Sequence, residues 1–198
     1  MVARMSAPPK SAGTEPEMTV DEFFAWAEET DGLWRRVDGV PVAMSPFTRA
    51  HGAVQGELRR LIADDLLEKG APCSVVTAPG VILHVNANKN VRAPDAAVVC
   101  GGYVTEEIAL TEPVVVLEIL SPDDKRRTWA NVWSCTTMPS VKEIVVFQSQ
   151  SIEAKLSRRA PDGRSSKEPE TSESGDVALE SIGVRFPLVS AYRTTRLA

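Results

Sequence analysis

The run VVVLEILSP, Val114 to Pro122, reads as a buried strand except for Glu118 at its centre. An ionised carboxylate without partners in a low-dielectric interior costs several kcal/mol or takes on a raised pKa. A chain with such a strand must therefore pair Glu118, keep it neutral, set it at the mouth of a cleft, or face it with a cation. A second acid repeats the problem: Asp95, in RAPDAAVV, stands at the edge of another strand-like run. If the two strands are antiparallel neighbours, the segment between them is long enough to bring Asp95 and Glu118 side by side. Two adjoining carboxylates raise each other's pKa unless a cation lies between them. Magnesium suits such a place, since it is held by one or two carboxylates together with substrate phosphates. It also lowers the pKa of water and stabilises charge on phosphate oxygens. The other arrangement has Asp95 capping a turn after Pro94 while Glu118 pairs with a buried arginine such as Arg92. Spacing leaves both open.

The flanking segments supply the layers such strands need. TVDE sets Thr19 as an N-cap with Glu22 at the third helical position, a capping box, and Val20, Phe23, Phe24 and Ala27 follow on one face. Asp38-Gly39 between two extended runs predicts a hairpin. From about Ala50 to Lys69, stopped by Gly70, the residues Val54, Leu58, Leu61, Ile62 and Leu66 recur at helical spacing. SVVTAPGVILHV, VRAPDAAVV and PVVVLEIL read as three β-rich runs. A helix is expected over about Asp124 to Thr137, with Trp129 and Trp133 covering the sheet, and Met138-Pro139 ends it. VKEIVVFQ and SIEAKLSRR predict two strands joined by a tight turn, and VALESIG a last one. APDGRSSKEPETSESGD, residues 160–176, is too polar to pack and reads as a mobile loop. The fold class is mixed α/β (α+β), a central sheet covered by two helices. Residues 1–17 read as a flexible leader and 18–198 as one domain.

Composition narrows the function. The longest apolar run falls short of a membrane span, and the N-terminal segment lacks the apolar core of a secretion signal. Three cysteines without C-x-x-C spacing suggest free thiols in a reducing cytoplasm. The net charge of −5 argues against broad electrostatic binding of nucleic acid. Arg35-Arg36, Arg59-Arg60, Lys125-Arg126-Arg127 and Arg158-Arg159 become a footprint only if the fold gathers them beside one cleft. His51 and His84 have no companions at zinc-ligand spacing. No phosphate-binding glycine loop or nucleophile elbow is present.

The order PD, then E-x-hydrophobic on the next strand, then a helix, resembles the PD-(D/E)XK nuclease superfamily. More narrowly, MTVDEFFAW, VDGVPVAMSP followed by the His51 helix, RAPDAAVV, VLEILSP, MPSVKEIVVF and SIGVRFPLVSAYR resemble the Uma2 family of restriction-endonuclease-like proteins, over about Met18 to Leu197. The resemblance implies a four-stranded mixed sheet flanked by helices. It implies Mg²⁺, with Mn²⁺ able to substitute, held by Asp95, Glu118 and the backbone carbonyl of Ile119. It further implies hydrolysis of DNA phosphodiester bonds by a metal-activated water, in a homodimer that cuts two strands, away from membranes. Several positions depart from the pattern. The superfamily's catalytic lysine falls on Leu120. The helix position from which relatives supply a lysine falls on Asn131, with Cys135 where a tyrosine is common, and Lys125 could reach a phosphate in their place. A family acid falls on Arg35, which with Arg126 and His51 forms the expected substrate-binding set; for His51 a plain surface position at a helix start is the other reading. Two functions follow: a metal-dependent endonuclease, or a nuclease fold that no longer cuts and binds nucleic acid or protein.

Overall fold

The computed structural model describes residues 17–44, 47–102, 108–121, 125–166 and 168–198, with the side chains of 126 and 127 also outside the description. The expected leader therefore lies almost wholly outside the described residues. Helix α1 (Val20–Glu28) opens with the capping box: the Thr19 side chain accepts from the Glu22 amide, and Glu22 reaches back to the Thr19 amide at 2.7 Å. Strands β1 (Trp34–Val37) and β2 (Val40–Ala43) form the hairpin. Asp38 and Gly39 both take positive φ, 51° and 87°, as a two-residue turn between right-twisted strands requires. Helix α2 (Arg49–Glu68) is capped by Thr48 and is followed by Gly70 at φ 61°.

Two of the expected strands break in the middle. The first β-rich run divides into β3 (Cys73–Thr77) and β4 (Gly80–Ile82), with Ala78 at φ 47° between them. The second divides into β5 (Val91–Arg92) and β6 (Ala96–Cys100) across Ala93-Pro94-Asp95. Pro94 cannot donate a ladder hydrogen bond, so the pairing is interrupted there. The halves then join different sheets. With β7 (Ala109–Leu110), the outer halves build a five-stranded sheet in the order β2-β1-β5-β4-β7. The inner halves join β8 (Val115–Leu120), β9 (Glu143–Gln148), β10 (Ala154–Arg158) and β11 (Glu170–Ser172) in a six-stranded sheet ordered β11-β10-β9-β8-β6-β3. The sheet is mixed, since β8 and β9 are parallel and the other pairs antiparallel. It exceeds the four strands the resemblance implied.

Both faces of this sheet are covered, which is why β8 is buried along its whole length. On one face Val54, Leu58, Ile62 and Leu66 of α2 pack with Leu117, Ile119, Val145 and Phe147. On the other, Val132 and Cys135 of α3 (Lys125–Cys135) pack with Val116, Leu120, Ile144 and Val146. Each large aliphatic side chain so buried contributes about 1.5–3 kcal/mol. A hairpin of β12 (Asp176–Leu179) and β13 (Val184–Pro187) adds Val177, Leu179, Val184 and Phe186 to the α2 side.

Three expectations are corrected. Residues 160–176 are not simply a loop: Glu170–Ser172 pairs with β10, and Ser165 bridges Arg159. Trp133 is 61% exposed, so of the two tryptophans only Trp129 packs against the sheet. Cys73 and Cys100 lie directly opposite on β3 and β6 and form a disulfide, leaving Cys135 as the buried thiol. The cysteine count therefore no longer argues for a reducing compartment. Among the described residues no helix is long and apolar enough to cross a membrane.

Candidate active site

Ala96 of β6 lies opposite Leu117 of β8. Asp95 immediately precedes that pair and its carboxylate reaches the Ile119 amide, so Asp95 and Glu118 stand on adjoining chain segments at one end of the six-stranded sheet. They are 6% and 4% exposed. The expectation that β6 and β8 are antiparallel neighbours holds.

Asp95 is held from several sides. Its Oδ2 accepts from the Ile119 amide at 2.6 Å, and its Oδ1 lies 3.1 Å from His51 Nε2. Its backbone carbonyl accepts from Gln55 Nε2 at 2.7 Å and from the Ala78 amide at 2.9 Å. His51 is 3% exposed and stacks on Phe47 with ring centroids 4.3 Å apart, which overturns the surface reading of this residue. Nε2 faces Asp95, and among the described residues Nδ1 meets no hydrogen-bond partner. The signal was available in the sequence. His51 and Gln55 precede Leu58 and Ile62 on the helical repeat, so the polar pair continues the buried stripe of α2.

Glu118 projects on the α3 side of the sheet. There Thr128, Asn131 and Cys135 lie at helical spacing on the buried stripe of α3, with Asn131 5% exposed and its Oδ1 without a hydrogen-bond donor among the described residues. Burial pushes the Cys135 thiol up to about 12; the charge of Glu118 adds to the rise and Arg92 opposes it. One thiol thus feels both charges. Burial also draws the Arg92 guanidinium below its ordinary value, against the pull of Asp38 and Cys135. Arg92 forms no ion pair with a described carboxylate, so it is not the direct partner of Glu118 that the alternative arrangement required. Arg36 lies opposite Val91 on the smaller sheet, and the next step of that register sets Arg35 opposite Arg92. Both are buried, at 8% and 9% exposure. Sequence reading weighed Arg92 only as a structural partner and missed Gln55 and Thr128.

The remaining expected residues are placed less centrally. Lys125 is exposed at the first turn of α3. The side chain of Arg126 lies outside the described residues. Ile119 presents its amide to Asp95. Glu57, one turn along α2 from the site, is buried; burial alone would raise its pKa, but hydrogen bonds from Arg60 and Arg193 hold it below the ordinary range.

The donor set fits a hard divalent cation. Among the described residues each Asp95 oxygen has one donor and so a lone pair remaining, and Glu118 stands on the adjoining strand. Among the described residues no three His, Cys, Asp or Glu side chains gather at one point. That leaves an oxygen pair of the kind magnesium accepts together with water and substrate phosphate.

A mixed sheet packed between helices defines the class: the fold is that of restriction-endonuclease-like proteins. The model of the Uma2 family, described as "Putative restriction endonuclease", matches residues 20–187, and the chain belongs to that family. Among solved structures it is similar to a chain from Anabaena variabilis ATCC 29413, described as a "putative nuclease belonging to DUF820", at 16% identity and a TM-score of 0.69. That match covers 88% of this chain and 97% of the other. No curated protein matches the sequence.

Proposed function

We propose that this chain is a Mg²⁺-dependent DNA endonuclease, with Mn²⁺ able to substitute, whose metal is held by Asp95, Glu118 and the carbonyl of Ile119. The observation that carries the reading is the Asp95 carboxylate seated on the Ile119 amide, next to Glu118, at one end of the six-stranded sheet. A bound Mg²⁺ would supply charge stabilisation at the scissile phosphate and would acidify water. The chain's own residues do the rest. His51 and the Ile119 amide fix the orientation of Asp95, so that its remaining lone pairs face the cleft. Arg92, whose charge acts on the same thiol as that of Glu118, provides fixed positive charge, the electrostatic part otherwise given to a lysine. Asn131 is placed to orient a polar group from α3. A homodimer would bring two such sites to the two strands of a duplex.

Leu120 at the lysine position and the exposure of Lys125 favour a second reading, a nuclease fold that binds without cutting. Calorimetric titration of Mg²⁺ and Mn²⁺ into wild type and Asp95→Ala separates the two. Binding in wild type that disappears in Asp95→Ala is the expected result, followed by plasmid cleavage that the same change lowers at least ~100-fold (about 2.7 kcal/mol). Absence of metal binding in wild type would overturn the nuclease reading.

A further inference from the structure

A cavity of about 470 Å³ opens between the first turn of α2, the end of β9 and the C-terminal turn. We propose that it binds the sugar–phosphate backbone of a nucleic-acid strand on its way to Asp95 and Glu118, an assignment that rests on the nuclease reading. The volume falls within the roughly 300–1,000 Å³ of ordinary ligand sites. Among the described residues its walls carry Arg49 and Arg196 and no carboxylate side chain, in a chain of net charge −5. Both arginines are exposed and neither is engaged by an acid among the described residues. Their charges are thus available to an incoming anion.

Three further features point the same way. The amides of Arg49 and Ala50 open a 20-residue helix, and the Thr48 side chain caps only the His51 amide. The first-turn N–H groups and the helix dipole therefore favour an anion there. Ser149, 2% exposed, lines the cavity with a hydroxyl, and Gln150 beside it adds an amide. The turn that carries Arg196 is braced by Thr195, whose hydroxyl donates to the Tyr192 carbonyl at 2.7 Å and accepts from the Leu197 amide at 3.1 Å. The cavity also adjoins the candidate site. The Ser149 amide donates to the carbonyl of Leu120, two residues past Glu118, at 3.0 Å, and the helix turn that offers Arg49 also offers His51 to Asp95. A phosphate held by Arg49 and Arg196 would place neighbouring nucleotides along the same end of the sheet.

The test is fluorescence anisotropy of a labelled single-stranded oligonucleotide, in EDTA so that cleavage plays no part, over a series of salt concentrations. Arg49→Gln/Arg196→Gln is compared with wild type and with Arg164→Gln, which removes an 88% exposed arginine elsewhere. The expected result is at least a ~10-fold loss of affinity at low salt, with a salt slope smaller by about 1.4, as two lost contacts to a single strand imply. Arg164→Gln should change neither. Equal binding by the double variant and wild type would overturn the cavity assignment, as would an equal loss in Arg164→Gln. Displacement of the strand by an equal concentration of inorganic phosphate would replace the strand with a free anion. No binding by wild type would also overturn the cavity, while the metal titration still decides the nuclease reading by itself.

Discussion

Glu143, at the start of β9, and the Asp95–Glu118 pair, beside the end of β8, are buried acids in one sheet, and their surroundings differ in kind. Glu143 is 2% exposed and accepts from Arg158 Nε at 3.2 Å, from the amides of Glu180 and Ser181 at 3.0 Å each, and from the Ser181 hydroxyl. These donors come from β10 and from the turn after β12, so one carboxylate ties the late hairpin to the sheet. Among the described residues Asp95 has one donor on each oxygen and a histidine behind it with an unmatched Nδ1, while Glu118 and Arg92 act on one thiol, Cys135. A buried acid whose bonding ties two elements together organises structure. Asp95, with lone pairs to spare at a sheet end, has capacity for something else.

This contrast can be broken by exchanging the expected effects. Glu143→Ala leaves the Glu180 and Ser181 amides without their acceptor while Arg158 keeps Glu170, and should cost about 1–3 kcal/mol in urea unfolding while metal affinity stays unchanged. A stable Glu143→Ala protein would show that the bonding around Glu143 is dispensable. His51→Leu should do the reverse. By loosening Asp95 it should weaken metal binding in calorimetry by about 10–100-fold, with a stability change near 1 kcal/mol, the ordinary value of one hydrogen bond. A large loss of stability with unaltered metal affinity would place His51 with Glu143 as structural.

The smallest effect belongs to Glu57, whose depressed pKa lies between the two cases. Its folded-state value is lowered by Arg60 and Arg193, so its contribution to stability is present above the unfolded carboxylate value, about 4.3. That contribution is lost as pH falls through the lower folded value. Glu57→Gln should therefore lower stability at neutral pH, flatten the acid limb of a stability–pH curve, and converge with wild type at low pH, where Glu57 is protonated in both states. An acid limb identical to wild type would remove Glu57 from the comparison.

Much of the local architecture follows from short-range rules. Thr19 and Glu22 cap a helix because their side chains reach amides three residues away. Asp38-Gly39 turns a hairpin because both residues tolerate positive φ. The stripe Val54, Leu58, Ile62, Leu66 was legible because a helix repeats within the window. The acids Asp95 and Glu118 stood out because charge is costly inside strands. Where reading failed, the deciding partner was distant. Nothing near Cys73 names Cys100, and nothing near Trp133 says that the α3 face carrying it turns to solvent.

The sequence by itself therefore determined the caps, the hairpin, the main helices and the two acids, since each depends on backbone geometry or burial cost within a few residues. Only the tertiary structure decided that two β-rich runs would be shared between two sheets. That division sets Arg35 against Arg92, turns His51 onto Asp95, and closes Arg49 and Arg196 around one cavity. Such meetings depend on strand order and register. Those are fixed by the packing of the whole chain, because pairing energies are shared among many alternative partners until a common core selects one arrangement.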